Sequence, residues 1–226
     1  MTRLKIGTAI GLALFASAAT ANANILLNGS FEIPVVPAGS FTNFPPASLT
    51  NWTVFGPAGT SVSVVSGTFS QNGVTFPAED GVQWLDLTGN GSNSSEGVSQ
   101  TVATTIGDQY QLSYWIGNTT GGGIFGTTST VQVSLNGAPT FTDTNSNVSP
   151  TTLNWEQFTH TFVATGTSTA LAFRNGDPPG DNSNGLDNVV LVDLGPTPPT
   201  GVPEPASLGL LGACLAFLAL VRRSRA

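Results

Sequence analysis

The chain has 226 residues, with six Lys and Arg, thirteen Asp and Glu, one His and one Cys, for a formal net charge of −7. Between residues 24 and 195 a single cation, Arg174, stands against twelve acids, so this stretch carries −11. That balance leaves nothing to neutralise phosphates and excludes nucleic acid as a partner, the lone Cys214 excludes an intramolecular disulfide, and the surplus of carboxylates suits divalent cations such as calcium.

The first 23 residues have the three-part layout of a secretory signal peptide. Arg3 and Lys5 precede an apolar run from Ile6 to Ala19, and Ala21-Asn22-Ala23 supplies the small residues of a cleavage site. An N-terminal anchor helix is the competing reading, but the run is short for a span.

Residues 24–195 form one domain's worth of chain, rich in Gly, Ser, Thr, Asn and Val, a composition that favours strands and turns. "IPVVPAGSFTNFPPASLT" is Pro-rich and reads as a surface loop. "SVSVVSG" alternates at Val62 and Val64. "YQLSYWIGN" places Tyr110, Leu112, Tyr114 and Ile116 on one face and Trp115 on the other, and "TVQVSLNG" groups Val131, Val133 and Leu135. Asn136-Gly137 is a hairpin signal, because both residues tolerate positive φ. "STALAFRNG" groups Leu171 with Phe173, and "LDNVVLVDLG" is dense enough for a buried strand. The segments 88–97 and 174–185 are polar loops. With about ten strands at turn-punctuated spacing and no helix among them, the fold class is all-β, a single antiparallel jelly-roll sandwich.

Residues 196–202, "PTPPTGV", make a stiff Pro-rich linker. An uncharged run from Ala206 to Val221 follows, then Arg222, Arg223 and Arg225. As a helix this run covers about 24 Å, less than the ~30 Å hydrocarbon core, so it is a marginal transmembrane helix with its arginines held on the cytoplasmic side.

Chemistry-bearing residues are few. The only histidine, His160, alternates with Phe158 and Phe162 and is expected to face inward with them. With no Lys or Cys in the body, nucleophilic pairs and zinc sites lack parts. Glu79, Asp80 and Asp86 offer carboxyls for glycoside hydrolysis, but nothing in their spacing points to it. The chain therefore reads as no enzyme. Sugars stack on aromatic rings, so outward Trp residues are the ligand-binding candidates. Trp52 and Trp155, at strand starts, are expected in the core. Trp84 has no assignable face. Trp115 lies opposite Tyr110, Leu112 and Tyr114 and is the best ligand candidate, unless a neighbouring loop covers it.

Two resemblances add to this reading. Pro203-Glu204-Pro205, the apolar run and the Arg-rich end together resemble the PEP-CTERM sorting signal of Gram-negative bacteria, spanning 203–226. The resemblance implies handling by an exosortase, passage through the inner membrane, and export to the cell envelope, cell surface or extracellular matrix. It names Pro203, Glu204, Pro205, Arg222 and Arg223 as the sorting residues, with cleavage near the Pro-Glu-Pro motif. The body is similar to a galactose-binding-like jelly roll of the kind shared by carbohydrate-binding modules and the DUF642 group. The carrying segments are "NILLNGSFE", "LTNWTVFG", "GVQWLDLTG", "GVSQTVATTIGDQYQLSYWIGN", "NWEQFTHTFVATG" and "GLDNVVLVDL". This second resemblance implies that the first and last strands meet and that a structural calcium bridges them. Glu32 and Asp187 are then its side-chain ligands, with carbonyls of Asn28 or Ser30 completing the shell. Two functions remain open: an envelope or matrix protein associating with exopolysaccharide, and a carbohydrate-binding module with a defined glycan site.

Overall fold

The computed structural model describes residues 23–89, 95–178 and 183–197. The signal peptide expected up to residue 23, all but its last residue, the tips of the two polar loops and the whole sorting tail, with the apolar helix expected there, lie outside the described residues. Strands are numbered in chain order. A six-stranded sheet runs β1 (Phe41–Phe44), β3 (Val62–Ser66), β6 (Gln83–Asp86), β13 (Gly185–Pro196), β8 (Asp108–Asn118) and β11 (Asn154–Val163). A five-stranded sheet runs β10 (Ala138–Asn145), β9 (Ser129–Leu135), β12 (Ser168–Asn175), β7 (Gly97–Ala103) and β2 (Thr53–Phe55). A small hairpin, β4 (Ser70–Gln71) with β5 (Val74–Thr75), stands apart. Pairing within the sheets is antiparallel throughout. The all-β sandwich expected from the sequence is the fold observed.

The period-two segments supply the main core. Tyr110, Leu112, Tyr114 and Ile116 on β8 meet Val131 and Val133 on β9 and Leu171 and Phe173 on β12, all at most 1 % exposed. Asn136 and Gly137, at φ +52° and +81°, turn β9 into β10 as their sequence predicts. Trp52 is core, donating its indole N–H to the Asn28 carbonyl at 2.9 Å. His160 faces the same side as Phe158 and Phe162. It stacks on Phe141 at 4.0 Å, and its Nε2 lies 2.6 Å from Asp143 Oδ2, which also accepts the Tyr114 hydroxyl. Burial pushes the Tyr114 phenol upward, and its bond to Asp143 adds to that shift. The histidine thus ties β11 to β10 across one open edge of the sandwich.

Trp155, expected in the core, is only half-buried and packs against a second cluster outside the main core, and one more expectation fails. The Pro-rich stretch is not all loop, because Phe41–Phe44 pairs with Val62–Val65 as the edge strand β1. The prolines around it sit outside the ladder, and an edge position tolerates such neighbours.

Candidate functional site

The chain between β3 and β6 folds back over the outer face of the six-stranded sheet. Asn72 and Gly73, at φ +52° and +78°, make the β4–β5 turn. Thr75 then bridges to Thr152, donating its hydroxyl to Thr152 Oγ1 at 3.0 Å. This return presses Val74 and Phe76 onto Val65 and Trp84, with Phe125 and Leu153 closing a second hydrophobic cluster apart from the main core. Phe76 stacks on Trp84 at 6.2 Å and meets Phe125 edge-on at 5.3 Å. The Trp84 indole N–H donates to the Phe76 carbonyl at 3.1 Å. Trp155, only half-buried, lies over Gly117 and Gly185. A Cβ on either glycine would come within 3.0 Å of its ring, so side chains there would displace it. From that position it meets Trp84 edge-on at 5.8 Å.

Beside this cluster is a cavity of about 300 Å³. Phe41, Phe69, Phe76, Trp84 and Phe125 supply an aromatic wall, and Ser63, Asp86, Thr88 and Ser183 a polar one. Cross-strand register sets the polar wall, with Asp86 opposite Ser63 on one side and Gly185 on the other. Asp86 Oδ1 accepts the Thr88 N–H at 2.9 Å and its hydroxyl at 2.7 Å. Ser183 is 2 % exposed, and its Oγ is buried with no partner among the described residues. Arg174, the only cation of the body, lies on the other sheet, 5.6 Å from the Phe55 ring centre.

Burial raises the Asp86 pKa to about 6, with the charge of Glu96 adding to the rise and the Thr88 bonds opposing it. The folded carboxyl therefore holds its proton to higher pH than its ordinary value of 3.8 allows. This contribution to stability is full below 3.8 and is lost as pH rises through about 6. Asp86→Asn removes that slope. The variant is expected to gain on the wild type between pH 4 and pH 8, by up to about 3 kcal/mol, in denaturant melts at the two pH values.

The residues expected around calcium are placed as follows. Asn24 and Ile25 bond to Val189 and Leu191, and Val189 N–H donates to the Gly29 carbonyl, so the opening segment does run along β13. Glu32 and Asp187 both reach the 79–83 turn. Asp187 is fully buried. Its Oδ2 accepts the N–H of Glu79 at 2.9 Å and of Asp80 at 3.1 Å, and its Oδ1 that of Asn188 at 2.7 Å. Glu32 Oε1 accepts the N–H of Val82 at 2.8 Å and Gln83 at 3.1 Å. Burial raises the Asp187 pKa to about 8, against the pull of those N–H bonds. Ser30 donates its hydroxyl to Asp80, and the Asn28 carbonyl is taken by Trp52. Among the described residues no three His, Cys, Asp or Glu side chains gather as a metal cluster. The donors are all oxygens, the chemistry that calcium takes, but they are arranged around peptide N–H groups.

Of the two tryptophans expected to bind ligand, Trp84 lines the cavity although only 2 % exposed. Trp115 is half-buried on the same outer face, opposite Asp187 and Gln157, and is not among the cavity-lining residues. Phe69, Phe76, Phe125, Ser63 and Ser183 were not legible as site residues. The Asn72-Gly73 pair, with strand-forming residues on both sides, is the signal that would have found the covering hairpin.

A family model described as "Protein of unknown function (DUF642)" matches residues 24–191, and one described as "PEP-CTERM protein-sorting motif" matches residues 201–224. No curated protein matches the sequence significantly. Among solved structures, a cyclase from Fischerella sp. TAU is 17 % identical, with a TM-score of 0.55, over 79 % of this chain and 99 % of that one. A CBM22-1 xylan-binding domain from Paenibacillus barcinonensis Xyn10C is 18 % identical, with a TM-score of 0.46, over 77 % and 98 %. TmCBM61, solved with beta-1,4-galactotriose, is 20 % identical, with a TM-score of 0.45, over 75 % and 98 %. At these identities the likeness to the cyclase is one of fold, and among the described residues no helix is long and apolar enough to cross a membrane.

Proposed function

This chain belongs to the DUF642 family, and from that premise we propose that it is an exported, non-catalytic protein of the cell envelope or extracellular matrix, sorted by an exosortase through its tail and associating with exopolysaccharide. The observation that carries this reading is the sorting motif at residues 201–224, directly after the body and its linker. A signal peptide at one end and a sorting motif at the other make the sandwich a cargo. Fractionation of the host tests it. The body is expected in the envelope or the medium without Arg222–Ala226, and deletion of 203–226 is expected to abolish retention at the surface. Full-length chain in the cytosol with both ends intact refutes the reading.

A second reading, a carbohydrate-binding module with a defined glycan site, is favoured by the aromatic cavity. Such a module is retarded in an affinity gel containing its glycan, whereas a purely structural envelope protein migrates unchanged through a broad panel.

A structural calcium ion beside Glu32 and Asp187 belongs to the same proposal. Its support is the all-oxygen donor set and the buried Asp187 carboxylate, which a cation would hold ionised. Chelation is expected to lower the melting temperature of the wild type and to leave that of Asp187→Ala unchanged. A wild-type melt indifferent to chelator removes the ion from the account.

A further inference from the structure

We propose that the cavity beside the β4–β5 hairpin is a binding site for one neutral hexose ring at the end or branch of a glycan chain, held between the Phe69–Phe76–Trp84 wall and the polar wall of Asp86 and Ser183. The sugar identity of the ligand rests on the carbohydrate reading above. The site itself rests on four observations.

Size comes first. About 300 Å³ is at the lower end of the ~300–1,000 Å³ range of small-molecule pockets, enough for a single ring and not for a chain. The walls are of two kinds. One side offers the more exposed rings of Phe41 and Phe69, suited to the C–H face of a pyranose, backed by Phe76, Trp84 and Phe125, which pack on one another. The other offers hydroxyl-directed groups. Ser183 lines the cavity, and its buried Oγ, without a partner among the described residues, calls for a group that both donates and accepts, as a sugar hydroxyl does. Asp86 Oδ1 accepts two bonds from Thr88, and a carboxylate offers about four lone-pair sites. Charge sets the class. Asp86 lines the cavity with Glu96 acting on it, and the body's only cation is on the opposite sheet, so a uronate meets repulsion without compensation.

The geometry also gives the site a direction. β13 starts at Gly185, next to Ser183 and the cavity, and ends at Pro196, beside Asp108. Its twelve residues span roughly 40 Å. The cavity therefore lies at the end of β13 opposite to the one where the described chain leaves the sandwich.

The test is titration of the exported protein with glucose, galactose, mannose and the matching uronic acids, followed by the NMR signal of the Trp84 indole N–H. At least one neutral hexose is expected to shift that signal, and the uronic acids to leave it in place. Phe69→Ala and Asp86→Asn are each expected to weaken binding about ten-fold, the size of one lost charged hydrogen bond or one lost stacking face. Asp86→Asn is isosteric, so it still reports if Phe69→Ala unfolds the hairpin. A signal unmoved by every neutral hexose means a solvent-filled cavity only and overturns the site. Equal response to uronic acids overturns the ligand class. Glycan retardation that Trp115→Ala abolishes and the cavity variants leave intact moves the site to Trp115, and then the carbohydrate reading stands while this assignment falls. If no glycan in the panel binds at all, both fall.

Discussion

Asp187→Ala is expected to destabilise the protein by about 3 kcal/mol and to lower its melting temperature by roughly 6–12 °C. The carboxyl is fully buried and accepts three peptide N–H groups, from Glu79, Asp80 and Asn188. Each buried donor left without an acceptor costs about 1–3 kcal/mol. Two effects reduce the sum. Asp80 is exposed, so part of the freed backbone is hydrated, and alanine also removes a carboxyl that burial already penalises. The damage spreads further than the three bonds. The same turn donates Val82 and Gln83 N–H to Glu32, and the Pro77 carbonyl next to it holds the Trp155 indole at 2.9 Å. Asp187→Asn keeps an acceptor oxygen for Glu79 and Asp80 while setting an amide against the Asn188 N–H, so it should fall between alanine and wild type. The order wild type, asparagine, alanine persists in chelator if orphaned N–H groups are the cause. An alanine variant as stable as wild type would mean that water satisfies the turn fully.

The parts of this architecture that show in the sequence are those with a local period. β8, β9 and β12 are buried on one face only and alternate accordingly, and Asn136-Gly137 marks its turn by two residues that accept positive φ. Trp84 shows why other parts do not. β6 is covered by the main core on one face and by the β4–β5 return on the other, so Gln83, Trp84 and Leu85 are all buried and no alternation remains to assign the indole. β3 is also buried at all five positions, but Ser63 between Val62 and Val64 keeps its alternation in the sequence. The cavity draws on β1, β3, the hairpin, β6, the Ile124–Phe125 segment and Ser183, so no spacing along the chain brings its walls together. Glu32 and Asp187 are in a middle position. Their convergence followed from a resemblance, but the turn they clasp did not, because a side chain accepting from a distant backbone N–H leaves no mark on either segment.

Trp84→Ala tests whether the outer cluster is a separate unit of stability. The side chain is 2 % exposed, touches Phe76 and Trp155, and supplies the only described side-chain donor to the Phe76 carbonyl. Its truncation is expected to cost about 3–5 kcal/mol, from lost burial and from a void that opens onto the existing cavity. Trp84→Phe refills most of that volume without the N–H and should lose less. The location of the loss matters more than its size. The return segment lies outside the two sheets and is tied down by this cluster, the Thr75–Thr152 bridge and the contacts of its turn. Weakening the cluster should therefore open β4, β5 and the turn while β8 and β13, buried between neighbours, stay closed. Hydrogen exchange reads this directly. Protection is expected to fall at Val74–Phe76 and to hold at Leu112 and Leu191. A uniform fall at all of these positions would mean that the covering hairpin and the sandwich melt as one, and the cavity would then be as rigid as the core beneath it.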